Sequence, residues 1–237
     1  MKNLYQDILN AKANNQKLLA ILIDPDKVEL QQIDLLSEKI NKSPATHIFV
    51  GGSSVENAIV DDLILFLKKS TSLPIFIFPG NPSQISGKAD GILFLSLISG
   101  RNPDYLIEHQ VNAVPILRET NLEIIPTGYI LIESGHETAV ARVSKTKPLD
   151  RNNPDYIMQT AQAGALLGKK LIYLEAGSGA QKSVPLEMIA LVSKNISIPL
   201  IVGGGIKKIR EIKLAHQAGA DIVVIGTAFE ENPDFFN

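Results

Sequence analysis

The chain of 237 residues contains no cysteine and no tryptophan, only 5% of it is aromatic, and no run of eighteen apolar residues occurs anywhere. Each absence removes a class of function. Without cysteine there is no disulfide, no thiolate nucleophile and no zinc–thiolate site, and the four histidines show no metal-ligand spacing. Sparse aromatics and a formal charge of −2 leave neither a stacking platform nor an electrostatic footprint for nucleic acid. The opening "MKNLYQDILNAKANNQ" lacks the apolar core of a signal peptide, and a membrane span is equally unsupported. The expected location is the cytoplasm, and the chemistry must rest on oxygen ligands and carboxylates.

What is present is 45% apolar residues, enough for one large core or two small ones. No low-complexity tract or linker marks a boundary, so residues 1–237 read as a single domain. Eight short, continuously apolar runs recur at 18–24, 46–52, 73–80, 90–96, 127–133, 170–177, 198–205 and 220–227. They lack polar alternation, as expected for strands buried on both faces of a parallel sheet. Segments with helical spacing lie between most of them, at 54–70, 103–111, 153–168, 185–195 and 207–219. The count and size predict an α/β fold, a (β/α)₈ TIM barrel, with a doubly wound open sheet as its competitor. Between "IFIFPG" and "DGILFLS" stand only the residues "NPSQISGKA", which allow one helical turn at most. The third outer helix is therefore expected to be missing or vestigial. The 134–152 segment carries four basic residues with weak periodicity and reads as a long loop over one barrel face.

In a barrel all strand C-termini open on one face. Gly203, Gly204 and Gly205 end the seventh run, and Gly226 with Thr227 ends the eighth. Backbone stripped of Cβ atoms at two neighbouring strand ends suits a phosphate held by N–H groups; the alternative is a pair of tight turns. The sixth run ends in "YLEAGSGA", so Gly177, Ser178 and Gly179 add a third donor-rich turn, and alternation aims Tyr173 and Glu175 inward together, opposite Leu174. A carboxylate beside a phosphate site suggests a phosphorylated polyol whose hydroxyl it meets, in a solvated pocket; a surface glutamate paired with a lysine is the alternative. The first run ends in "IDPDK", leaving Asp24 and Asp26 in an oxygen-rich turn that suits Mg²⁺ held with a substrate phosphate, or serves only as a helix cap. The second ends in "GGSS", whose hydroxyls could complete the coordination. Two anion-receiving regions imply two phosphorylated substrates, and the short third connection could leave a groove for a long hydrocarbon.

The motifs "LIDPDK", "VGGSS", "FPGNPSQIS", "LFLSLISGRNP", "YLEAGSG", "VGGGI" and "GT", in this order and over nearly the whole chain, resemble the geranylgeranylglyceryl and heptaprenylglyceryl phosphate synthase family. The resemblance implies a modified barrel without a regular third helix and a Mg²⁺-dependent prenyltransferase. Such an enzyme alkylates the C3 hydroxyl of sn-glycerol 1-phosphate with a prenyl diphosphate, here geranylgeranyl diphosphate, to make an ether lipid for phospholipid biosynthesis. Carried over by motif, Asp24 and Ser53 form the magnesium site, Ser53 being preferred to Ser54 because it directly follows the two glycines. Tyr173, Leu174, Glu175, Ala176, Gly177, Ser178, Gly179, Gly204, Gly205, Gly226 and Thr227 hold glycerol 1-phosphate. Glu175 is the candidate base and Tyr173 the residue that orients the glycerol. Leu22 stands where some relatives carry a polar or basic residue. By the same analogy the protein is a homo-oligomer that touches a membrane transiently to deliver its product. Competing readings are a heptaprenyl-using enzyme, another barrel enzyme with the same phosphate pocket, such as a flavin oxidoreductase or a phosphosugar isomerase, and a non-catalytic phosphoglycerol-binding barrel.

Overall fold

The computed structural model describes residues 3–28, 33–52, 57–232 and 235–236. Eight parallel strands, β1 (Leu18–Ile23), β2 (His47–Val50), β3 (Ile75–Ile77), β4 (Gly91–Leu97), β5 (Glu123–Leu131), β6 (Leu171–Glu175), β7 (Leu200–Gly203) and β8 (Ile222–Ile225), close into a barrel in sequence order, with β8 paired to β1. Strand alternation divides the core in two. Leu18 and Ala20 of β1, Tyr173 of β6 and Val224 of β8 fill the interior, while Leu19, Ile21 and Ile23, Leu174 and Val223 meet the outer helices. Both faces are apolar because both are buried, which is why the runs lack polar alternation.

Around the sheet lie α1 (Leu4–Ala13), α2 (Ile33–Lys42), α3 (Asn57–Ser70), α4 (His109–Arg118), α5 (Ala139–Ser144), α6 (Pro154–Leu166), α7 (Leu186–Asn195), α8 (Ile209–Ala218) and α9 (Thr227–Glu231). Helix α1 is a plug rather than part of the ring. Its Leu4, Ile8 and Ala11 join the interior cluster, and the Glu123 carboxylate at the start of β5 accepts from the Leu4 and Tyr5 N–H groups. This closes the barrel end opposite the strand C-termini. Among the described residues no helix is long and apolar enough to cross a membrane.

The expected gap in the ring is there: a single 3₁₀ turn, Pro82–Gln84, stands between β3 and β4. Strand β3 pairs with β4 only through Phe76 with Gly91 and Ile77 with Ile92, whereas β4 continues to Leu97. Beyond Ile92, β4 therefore presents a free edge toward the missing helix. The buried Gln84 secures the neighbouring loops, its side-chain oxygen accepting from the Gly80 N–H at 2.7 Å and its amide donating to the Gly52 carbonyl at 3.0 Å.

Three expectations need correction. The helical segment read at 103–111 does not end at 111: α4 runs to Arg118 with Pro115 inside it and is preceded by a π-helical turn, Asp104–Glu108. The 134–152 segment is not only a loop. Thr138 accepts from the Ala141 N–H and starts α5, which Lys145 ends in the left-handed conformation. Strand β5 begins at Glu123, four residues before the apolar run that signals it.

At the β2 terminus, a Cβ on Gly51 would lie 1.8 Å from the Phe78 carbonyl oxygen, a backbone atom with no freedom to move aside. Gly51→Ala is expected to cost about 1–3 kcal/mol, the usual range for overpacking, and to lower Tm by roughly 2–10 °C. A thermal melt within 1 °C of wild type would show that the β2 and β3 ends are not held this tightly.

Candidate active site

A cavity of about 490 Å³ opens at the C-terminal ends of the strands. Its polar end is built from the turns after β6, β7 and β8, with Gly177, Ser178, Gly179, Gly204, Gly226 and Thr227 on its wall and Gly205 beside them. Among the described residues, the amide N–H groups of Ser178, Gly179, Gly204, Gly205 and Thr227 find no acceptor. The Ser178 and Thr227 hydroxyls lie 3.3 Å apart across this end. Unspent donors gathered in neighbouring turns, at the start of a helix, are the backbone chemistry that an anion requires.

Two of the glycines have different reasons to be glycine. Gly204 sits at φ +82°, and a Cβ there would lie within 2.3 Å of the Glu175 carboxylate. A side chain at 204 would therefore displace Glu175 as well as any anion. Gly226 has a negative φ, and its Cβ would meet nothing closer than Leu22 at 3.6 Å. A Cβ would fit there at ordinary contact distance, so packing within the fold does not demand this glycine.

In the middle of the cavity stand Glu175, Tyr173 and Tyr129. Glu175 is 6% exposed, deeper than a solvated strand end, and the expectation of a solvated carboxylate is corrected accordingly. Burial pushes its pKa up to about 7, against the lowering effects of the Gly177 N–H, which donates to it at 2.6 Å, and of Tyr173. The Tyr173 hydroxyl faces this carboxylate but meets hydrogen-bond geometry with no atom among the described residues. Burial, with the Glu175 charge next, raises the Tyr129 and Tyr173 hydroxyls far above the usual phenol range, so both stay neutral. The rings of Tyr129, Tyr173 and Phe78 form a triangle with centroid separations of 5.3, 5.5 and 5.9 Å.

From this triangle the cavity continues as an apolar channel. It is lined by Leu95 and Leu97, which face the barrel interior, and by Ile92 and Phe94, which face the outer layer. Alternate residues of a strand point to opposite faces, so a cavity lined by both sets passes around the free edge of β4, through the gap left by the third helix. Gln110 of α4 bonds the Leu95 carbonyl on that edge, while its own carbonyl oxygen is buried without a partner among the described residues.

Asp24 lies on the opposite rim. It does cap the Pro25–Lys27 turn, accepting from the Asp26 N–H at 3.2 Å, and it also lines the cavity. Burial raises its pKa, and the nearby Glu230 and Asp26 carboxylates raise it further against the pull of Lys27. Ser53, like Ser54, falls outside the described residues. The Leu174 and Ala176 side chains pack in the layer between sheet and helices, away from the cavity, and the Ala176 N–H is spent on the Gly203 carbonyl at 3.0 Å. Sequence reading missed Tyr129, Phe78, Lys27 and Glu230. Tyr129 carries a usable signal, since it sits beside Tyr173 in the β5–β6 register. Lys27 and Glu230 carry none, being brought together from opposite ends of the chain.

A (β/α)₈ barrel whose mouth joins an anion site to an apolar channel, with a buried carboxylate between them, is built to bring a phosphorylated group together with a hydrocarbon. The chain belongs to the PcrB family, whose model matches residues 11–236. It is 67% identical over 237 residues to a geranylgeranylglyceryl phosphate synthase of Flavobacterium johnsoniae, covering 100% of this chain and 98% of the relative. It is 40% identical over 224 residues to the protein of the same name from Thermococcus kodakarensis, covering 94% of this chain and 88% of that one. In three dimensions it is similar to (S)-3-O-geranylgeranylglyceryl phosphate synthase from Thermoplasma acidophilum, solved in complex with its substrate sn-glycerol-1-phosphate. That match has a TM-score of 0.92 and 35% identity, and covers 98% of this chain and 93% of the other.

The Glu175 environment has a consequence for stability. A carboxyl raised from its ordinary 4.5 to about 7 by folding holds its proton more tightly in the folded chain, so the native state is favoured below pH 4.5 and this advantage is lost as pH rises through 7. Glu175→Gln removes the titration. Melts at pH 5 and pH 8 should show the variant gaining on wild type at the higher pH, by on the order of 2–3 kcal/mol at most. A difference independent of pH would mean that Glu175 is not held near neutrality.

Proposed function

We propose that the protein is a prenyltransferase that joins a prenyl diphosphate, with geranylgeranyl diphosphate as the preferred donor, to the C3 hydroxyl of sn-glycerol 1-phosphate. The observation that carries this reading is the placement of Glu175: a buried carboxyl with a pKa of about 7, between a wall of unspent amide donors and an apolar channel. The relatives named above support it. The glycerol phosphate would lie against the turns of Gly177–Gly179, Gly204, Gly205, Gly226 and Thr227, with its free hydroxyls toward Glu175 and Tyr173. The prenyl chain would follow the channel past Tyr129 and Phe78 around the edge of β4.

In that arrangement the C1–O bond of the allylic diphosphate breaks, the diphosphate leaves with the electron pair, and the C3 oxygen of glycerol forms the new bond to C1. Glu175 takes the hydroxyl proton, a task for which a pKa near the working pH is the favourable one. The aromatic triangle offers ring faces to the positive charge that develops on the allyl group. Tyr173 orients the glycerol, and the neutral phenols bring no competing anion.

The residues present fit Mg²⁺. Asp24 and Glu230 are carboxylates that line the same cavity, and burial together with the Glu230 charge disfavours the charged form of Asp24, which a cation would relieve. No group of three or more histidine, aspartate or glutamate side chains that could cage a metal occurs among the described residues. That suits Mg²⁺, which is commonly bound by one or two carboxylates together with substrate phosphates. Asp24, with Ser53 as the further ligand implied by the motif, would hold Mg²⁺, which would supply the charge neutralisation that makes diphosphate a leaving group. We further infer a cytoplasmic homo-oligomer whose product passes to a membrane, by analogy with the family.

The decisive experiment is incubation with sn-glycerol 1-phosphate, Mg²⁺ and a series of C15 to C35 prenyl diphosphates, with mass spectrometry of the lipid products. A geranylgeranyl ether should dominate; no ether product with any donor would sink the assignment. Glu175→Gln should lower kcat by roughly 10²- to 10⁴-fold, the range of a general base. A folded variant within about threefold of wild type in single-turnover rate would remove Glu175 from that role. Asp24→Asn should weaken Mg²⁺-dependent turnover while glycerol 1-phosphate still binds. Gly226→Val, at a position where a Cβ meets only ordinary contacts, should raise KM for glycerol 1-phosphate far more than KM for the prenyl donor. Equal changes in both would point to misfolding. Gly204→Val is less informative, because it must also move Glu175.

A further inference from the structure

Helix α9 starts at the turn after β8 and ends beside the terminus of β1, the next strand round the barrel. Its first residue, Thr227, faces Ser178 across the polar end of the cavity, and one turn later Glu230 reaches the β1 terminus. Glu230 makes two bonds there. One carboxylate oxygen accepts from the Asp24 backbone N–H at 3.2 Å, and the other lies 2.9 Å from the Lys27 ammonium. The Glu230 side chain is only 17% exposed, and Phe229 beside it is buried in the outer core against Phe236, so the carboxylate is presented from a fixed base. Lys27 also stands 3.8 Å from Asp24, and all three residues line the cavity. Burial works to lower the Lys27 pKa, but Glu230 first and Asp24 next hold it above its ordinary value, so it remains a cation at any working pH.

We propose that Glu230 is a positioning residue for the diphosphate end of the reaction: it fixes the Asp24–Lys27 turn relative to the glycerol phosphate site through the rigid body of α9. The inference rests on the proposed function for the identity of the two ligands. Glu230 touches neither reacting atom. By holding the Asp24 backbone and the Lys27 ammonium, it sets where the carboxylate that receives Mg²⁺ and the cation that faces the diphosphate are placed. Because the same short helix begins at the phosphate-binding turn, the two subsites keep a constant spacing, and near-attack geometry depends on that spacing.

Simple charge and the clamp make opposite forecasts. On charge alone, removing a carboxylate from the rim strengthens binding of an anion. The clamp predicts weakening, because Lys27 and the Asp24 turn lose their anchor. The test uses the full chain as wild type, Glu230→Ala and Glu230→Gln, with calorimetric binding of magnesium pyrophosphate and of sn-glycerol 1-phosphate, thermal melts, and KM and kcat for both substrates. Glu230→Ala should weaken magnesium pyrophosphate on the order of tenfold, as for loss of one charge-assisted hydrogen bond, with glycerol 1-phosphate changed by less than about threefold. Glu230→Gln, which keeps an amide oxygen for the Asp24 N–H, should recover part of the loss. Tighter or unchanged pyrophosphate binding in Glu230→Ala would overturn the proposal, as would equal losses for both ligands that follow a fall in Tm. Pyrophosphate binding does not need the prenyl reaction, so a wild-type protein that shows the predicted binding pattern but makes no ether lipid would defeat the proposed function and leave the clamp standing.

Discussion

The length of β3 governs much of what the cavity can be. With three residues it can pair with β4 only as far as Ile92, although β4 runs on to Leu97. Backbone groups on a buried strand edge must find partners or water, and in an ordinary barrel the next strand and the helix behind it would supply and cover them. Here the Pro82–Gln84 turn replaces that helix, Gln84 uses its amide to hold the Gly52 and Gly80 backbones, and Gln110 caps the Leu95 carbonyl from α4. The opening that remains is lined with carbon from both faces of β4. An apolar channel thus follows from one missing outer helix, and the other seven strand pairings keep the barrel closed around it. The unpartnered Gln110 oxygen marks the place where satisfaction of that edge is incomplete.

How much of this the sequence disclosed depends on the range of the interactions involved. The nine residues between the third and fourth apolar runs are too few for a helix and a strand connection together, so the gap was legible from chain length alone. The glycine turns after β6, β7 and β8 were legible because the residue type itself states the constraint, and Tyr173 and Glu175 because alternation along a strand is strict. Helix α5 was not: six residues starting at Thr138 give too short a period to stand out from "HETAVARVSK". Helix α9 shared that fate. The motif assignment spread evenly over 173–179, but the pleat turns Leu174 and Ala176 away, which alternation already implied. Tyr129 and Phe78 required knowing which strand neighbours which. The Glu230 contacts with Asp24 and Lys27 join residues more than two hundred positions apart, and no local pattern encodes such a pair.

The two carboxylates placed at the site by the sequence end in different environments, and the difference separates their roles. Glu175 is enclosed by Tyr173, Gly177 and the close approach of Gly203 and Gly204, and burial holds its proton until about pH 7. Asp24 is nearer solvent, tied to the Asp26 N–H, with Lys27 and Glu230 beside it. One carboxyl is thereby tuned to exchange a proton near neutrality, and the other sits among fixed charges that suit a cation and a diphosphate. Opposed environments for paired titratable groups are how one fold assigns acid–base and electrostatic work to like residues. The glycines take part in that assignment. At 203 and 204 a Cβ would collide with Glu175 itself, so glycine there keeps the carboxylate in its enclosed position. The same backbone that leaves donors free for an anion therefore also fixes the carboxyl that we propose as the base beside it.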